Sequence, residues 1–174
     1  ACGTPPHKEM DQAQGAIDPP RAPGPDRYAT TEFQAATTSL ALANDAVAQR
    51  DYRLALNHAL ESRDHAQNAA REAADTRARI RGEVERSMAE VAGLLAQPSG
   101  ALAAAEKARI PRRTLTEARD ALAEINADVQ EAGAAMKADD YMAAQPPMAG
   151  VKERNEQVLA SLEAAMTQTS GRRR

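Results

Sequence analysis

Few residues of this 174-residue chain combine a reactive type with a useful spacing. His58 and His65 stand seven apart, on nearly one face of a helix, with Glu61 and Asp64 close by. A metal site inside a helical bundle takes Glu-x-x-His sets from two helices. Here Glu61 and His65 are four apart and no second set follows, so we expect polar contacts at a bundle rim, with no metal and no other cofactor. Asp139-Asp140 are adjacent carboxylates at the end of an apolar pattern, which suits a helix stop and cap rather than an acid–base pair. Cys2 is the only cysteine, which excludes an internal disulfide and a CxxC site. Nucleophile–base arrangements and glycine-rich phosphate loops are missing from the pattern, no catalytic residue is assigned, and the chain reads as non-enzymatic.

The elements that would carry these residues are helical. Alanine is roughly a quarter of the chain, far above ordinary usage. The aromatics are Tyr28, Phe33, Tyr52 and Tyr141, with no tryptophan. Such a chain cannot fill a wide core but can pack helices closely through small residues. No alternating segment suggests a sheet, and no apolar run approaches the ~18 residues needed to span a bilayer. The expected class is all-α, an antiparallel bundle of two related helical hairpins. A first helix over 31–49, capped by Thr30 or Thr31, carries the seam Phe33, Ala36, Leu40, Ala43 and Val47. A second, over 52–96, starts from Asp51 as cap. Its seam is Tyr52, Ala55, Ala59, Ser62, Ala66, Ala69, Ala73, Thr76 and Ile80, then Val84, Met88, Val91 and Leu95. Gln97-Pro98-Ser99-Gly100 predicts a tight hairpin. A third helix covers 101–138 with a kink or restart at Pro111 and the seam Leu115, Ala118, Leu122, Ile125, Val129, Ala132 and Met136. Pro146-Pro147 should interrupt the chain before a fourth helix at 148–168, with Val151, Val158, Leu162 and Met166 inward.

Leu40–Tyr52 and Val129–Tyr141 share a pattern 89 residues apart: a small-residue helix end, a polar break, then Asp-Tyr opening another helix. This suggests an internal duplication. Because the middle helices outrun the outer two, residues 77–113 are expected to project from the 31–169 bundle as a two-helix arm. The arm carries +4, against −3 for residues 31–76 and −6 for 114–169. Arg77, Arg81, Arg86, Arg109, Arg112 and Arg113 are therefore the candidate partner-binding residues, for an anionic surface or an acidic protein partner.

Residues 1–30 hold six of the ten prolines and read as a disordered, proline-rich tether. Ahead of it, Ala1-Cys2-Gly3 resembles the processing site of a bacterial lipoprotein. That resemblance implies a lipidated Cys2, a membrane-attached chain and, with Gly3 in place of aspartate, sorting to the outer membrane, facing the periplasm or the cell surface. Ala48-Gln49-Arg50-Asp51-Tyr52-Arg53-Leu54-Ala55-Leu56 looks like the turn and second helix of a tetratricopeptide-like domain. The whole resembles the small alanine-rich helical lipoproteins of Gram-negative envelopes, which implies a tethered scaffold or accessory subunit of an envelope complex. The alternative is a carrier of an apolar small molecule or lipid, its bundle core lined by Met88, Met136, Met142, Met148 and Met166. Residues 170–174, ending in Arg172–Arg174, read as a solvated basic tail. Net charge −3 and no stacking aromatics argue against a nucleic-acid partner.

Overall fold

The computed structural model describes residues 4–18 and 24–171. Among them are eight α-helices and no strand. They are α1 (His7–Ile17), α2 (Pro25–Tyr28), α3 (Thr30–Ala48), α4 (Tyr52–Leu94), α5 (Ala96–Ala108), α6 (Arg112–Lys137), α7 (Tyr141–Met148) and α8 (Val151–Gly171). The all-α class expected from the sequence is the class that forms. The chain divides into two compact units, Ala1–Arg79 and Ile80–Arg174, and α4 contributes residues to both.

In the first unit, α3 and the opening stretch of α4 meet through small side chains. Ala36, Ala43 and Ala46 are buried on α3; Ala55, Ala59, Ala66, Ala69 and Ala73 are buried on α4. The Ser62 hydroxyl, fully buried, donates to the Ala36 carbonyl at 2.8 Å. A side chain as short as serine reaches a neighbouring helix backbone only where the axes lie close, which the alanines permit.

Two expectations fail here. The tether over 1–30 contains α1, which turns Ala13 and Ile17 onto Ala36, Leu40 and Ala66. Met10, Ala13 and Ile17 recur at three and four residues, a short seam that flanking prolines disguise. Tyr28, also assigned to the tether, is buried. Residues 1–3 and 19–23, and with them Cys2, Pro19, Pro20 and Pro23, lie outside the described residues. Neither threonine caps α3: its N-cap is Ala29 and no side chain caps it, while the Thr30 hydroxyl donates to the Asp26 carbonyl.

The second unit overturns the projecting arm. Ile80, Val84 and Val91 are at most 4% exposed, as are Ala105 and Ile110. Ala105 and Ile110 pack with Ala118 and Leu122 of α6 and with Val158 and Leu162 of α8. The last helix therefore covers the segment that was expected to stand free. The cause is the reading of residues 97–100. They are not a hairpin but the first turns of α5, and Leu95 between α4 and α5 keeps helical angles (φ −60°, ψ −26°). Pro98 is tolerated there because an amide in a helix's first turn has no intrahelical acceptor to lose. The acceptor that goes unserved belongs to the preceding helix: the carbonyl of Leu94, the last residue of α4 and four back from Pro98, lacks the donor that an unbroken helix would give it. Buried Asn155 of α8 supplies one, Nδ2 donating to that oxygen at 3.3 Å. The real reversal comes at Arg109–Pro111, where the restart expected at Pro111 is found. Pro146 and Pro147 likewise sit inside α7, and the break falls at Ala149-Gly150, with Gly150 at φ +71°.

Three helix ends close in one way. Arg50, Arg109 and Asp139 adopt φ values of 61°, 57° and 58°, and the next residue's amide returns to a carbonyl five positions earlier. At the first and third corners, Asp51 and Asp140 then cap the new helix, accepting from the amides of Leu54 at 3.0 Å and Ala143 at 3.2 Å. The pair of corners 89 residues apart in sequence thus shares its backbone geometry and its cap.

Candidate functional site

Among the described residues of the second unit, a dense run of like charge lies at the α5–α6 corner. Between 107 and 113 stand Lys107, Arg109, Arg112 and Arg113 with no anion, while the rest of 80–171 holds six cations and fourteen anions. All four side chains are exposed. Arg113 bonds Glu117 at 2.7 Å, and that carboxylate holds its guanidinium above the ordinary arginine pKa. Among the described residues, no hydrogen bond or ion pair takes up the side chains of Lys107, Arg109 or Arg112. Glu106, the nearest upstream acid, is engaged by Arg119 at 2.6 Å, which ties α5 to α6. The first turn of α6 carries no acid, and Pro111 offers no side-chain cap, so two arginines flank helix amides that favour negative charge.

The register of α8 brings its last turns to this end. Arg154 pairs with Asp128, and Ala118 faces Val158 and Ser161, so α8 runs antiparallel to α6. From Asp128 back to Arg112 is about 24 Å of helix, and from Arg154 on to Gly171 about 26 Å. The end of α8 therefore reaches the level of Arg112, and Ala165 and Met166 lie in one cluster with Ala108, Ile110 and Leu115. The next residues after Gly171 are Arg172–Arg174, outside the described residues.

The remaining candidate arginines do not join that cluster. Arg77 belongs to the first unit. Arg81 bonds Glu85 at 2.8 Å and lies 6.0 Å from the Tyr141 ring centroid; the Glu85 hydrogen bond and charge raise its pKa above the usual value. Arg86 donates to the Gly82 carbonyl of its own helix. Sequence reasoning missed the end of α8 as a neighbour of the α5–α6 corner, because only the α6–α8 register places the two together.

The other polar candidates act as struts. His58 bonds Glu61 at 2.9 Å, and His65 reaches across to Glu32 of α3 at 2.8 Å. No group of three metal-type ligands gathers among the described residues. Asp139 accepts from the Tyr141 hydroxyl, and Asp140 is a cap. The five methionines do not form one lining. Met148 is core, Met142 is 37% exposed, Met166 lies with the α5–α8 cluster, and the Met88 methyl lies beside Gly133. The groove between α6 and α8, about 360 Å³, is open and mixed in character, with Ala118, Ala121 and Val158 flanked by Glu117, Glu124 and Arg154. Among the described residues, no helix is long and apolar enough to cross a membrane. No family model, no curated protein and no solved structure matches this chain.

Proposed function

We propose that this chain is a non-enzymatic helical scaffold or accessory subunit of the bacterial envelope, attached to a membrane through an acylated Cys2. The observation that carries the scaffold reading is the use made of its polar residues. The residues with chemical potential are committed to holding helices together: His65 to Glu32, Arg154 to Asp128, Asn155 to the Leu94 carbonyl, Asp51 and Asp140 to helix amides. A catalytic centre needs such groups convergent on a substrate position instead. Two compact units that draw on one 43-residue helix suit a protein that offers faces to partners.

The α1 helix changes what the anchor does. Only four residues separate Cys2 from His7, at most about 18 Å of extended chain. An acyl group on Cys2 would therefore hold the first unit close to the bilayer surface rather than at the end of a thirty-residue leash. Fractionation of cells expressing the full-length gene tests the attachment. The wild type should follow the membranes and Cys2→Ala should be released; retention of both, or release of both, refutes the anchor.

A further inference from the structure

We propose that α1 is a stand-in: it sits, weakly held, in a groove of the first unit that is built to take an amphipathic helix of a partner protein. The proposal rests on the scaffold reading, in that the occupant is a protein, and not on the acyl anchor.

Each unit, taken by itself, repeats one plan. The helices α3 and α6 end 89 residues apart, at Ala48 and Lys137, and α4 and α7 begin 89 apart, at Tyr52 and Tyr141. Buried positions match at that spacing: Ala43 with Ala132, Ala55 with Ala144, Ser62 with Val151, Ala73 with Leu162. The same helix pair is built twice, and each copy carries a further helix on one groove. In the second unit that helix is the stretch Ile80–Leu94: the Met88 methyl lies beside Gly133, and the Leu94 carbonyl accepts from Asn155. In the first unit α1 takes this place. Asn44 and Ala66 stand 89 residues before Gly133 and Asn155. Asn44 lines a cleft with His7, Met10 and Gln14 of α1, and Ala66 packs with Ala13 and Ile17.

The two occupants are held unequally. The stretch Ile80–Leu94 buries Ile80, Val84 and Val91. Polar groups tie it along its length: Gln145 donates to Glu83 at 3.4 Å, the Lys152 ammonium lies 3.9 Å from Glu90, and Arg81 lies 6.0 Å from the Tyr141 ring centroid. The 11-residue α1 buries Ala13 and Ile17. Among the described residues, no side-chain hydrogen bond or ion pair joins it to another helix, and Gln14 donates to Asp18 at its own end. One isoleucine and one alanine are a small hold on a segment of this length, given the chain entropy lost in ordering it. The groove also keeps a fitting that α1 leaves unused. Arg63 stands 89 residues before Lys152, the residue that meets Glu90. Its terminal nitrogen lies 3.7 Å from Asp64, and its Nε atom is buried with no hydrogen-bond partner among the described residues. A carboxylate placed as Glu90 is placed would complete the pair. The partner helix is thus specified by its counterpart: apolar residues spaced as Ile80, Val84 and Val91, with an acid just before the last of them.

The probe is a synthetic peptide of residues 80–95, held helical by a lactam between Glu85 and Ala89→Lys, because an isolated helix this short is marginal in water. Its binding to the full chain carrying Cys2→Ala is followed by fluorescence anisotropy, so acylation plays no part and failure here leaves the anchor standing. Ala13→Asp/Ile17→Asp expels α1 from the groove. This variant should keep a cooperative circular dichroism melt and should bind the peptide at least about tenfold more tightly than the parent, since the competing segment no longer holds the open state down. Arg63→Glu should weaken the peptide roughly threefold, the scale of a half-exposed ion pair, and a Glu90→Lys peptide should recover that loss. In the parent, amides of α1 should exchange with solvent at least about tenfold faster than those of α3. Loss of the cooperative melt in Ala13→Asp/Ile17→Asp would show α1 to be core, and peptide binding unchanged or weakened by that variant would place the peptide elsewhere; either result overturns the proposal. So do α1 amides as protected as those of α3. Dimers of Ala13→Asp/Ile17→Asp in sedimentation velocity, dispersed by the peptide, would make the occupant a second copy and overturn the separate partner.

Discussion

The junction between α4 and α5 makes the sharpest energetic prediction. Pro98 withholds the amide that would satisfy the Leu94 carbonyl, and Asn155, 2% exposed, replaces it from α8. Asn155→Ala leaves that half-buried carbonyl without a protein donor, which costs up to about 1–3 kcal/mol. Loss of the Asn155 Oδ1 atom, buried with no partner among the described residues, offsets part of that. In a Pro98→Ala background the new amide serves Leu94 instead, and Asn155 becomes a donor without an acceptor. Its removal should then be neutral or favourable apart from lost packing. The coupling between the two sites should therefore be about 1–2 kcal/mol, well outside the ~0.3–0.5 kcal/mol by which independent sites depart from additivity. Urea unfolding of the parent, both single variants and the double variant, followed by circular dichroism, gives the four midpoints required. If Asn155→Ala costs the same in both backgrounds, the proline does not create the demand that Asn155 meets, and the account of this junction is wrong.

Further tests bear on the repeated corners. Asp51→Ala and Asp140→Ala each remove a side-chain cap and should each lower stability by about 1 kcal/mol. Replacement by asparagine, which caps equally well, should restore it, and an asparagine variant as weak as the alanine would show that the charge rather than the cap matters. Arg50 is exposed at φ 61°, where a β-carbon costs about 1–2 kcal/mol and glycine loses about 0.5–1 kcal/mol in chain entropy. Arg50→Gly should consequently raise stability by roughly 0.5–1 kcal/mol, and a lowered urea midpoint would contradict the left-handed assignment.

How far the sequence revealed this fold can be followed through α4. Its buried positions, from Ala55 through Ser62, Ala73, Ile80 and Val84 to Val91, fall on the seam read from periodicity, because one face of a long helix must be small or apolar throughout. Asp51 as a cap was legible for a similar reason, since a short acceptor before an apolar run has few other uses. The α1 helix was hidden because three seam residues between prolines make a weak signal, and its burial depends on Ala36, Leu40 and Ala66, far away in the chain. The arm failed at one point. Gln-Pro-Ser-Gly suits a turn and equally suits the first turn of a helix, and local chemistry does not choose between them. Once that turn moves to Arg109–Pro111, α8 has a partner along its length and the arm becomes core. Arg109, Arg112 and Arg113 were recognisable as a basic run. The nearness of the end of α8 to that run rests on the antiparallel register that Arg154 and Asp128 record, which no local pattern encodes.

The central claim, a lipid-anchored scaffold without chemistry of its own, is tested most directly by a native mass spectrum of the protein extracted from its own envelope. That single measurement reads covalent modification and bound company together. The account predicts a chain heavier than its sequence by an acyl-glyceryl group that maps to Cys2, in a complex of fixed stoichiometry with another envelope protein. An unmodified chain recorded only as a free monomer would contradict it.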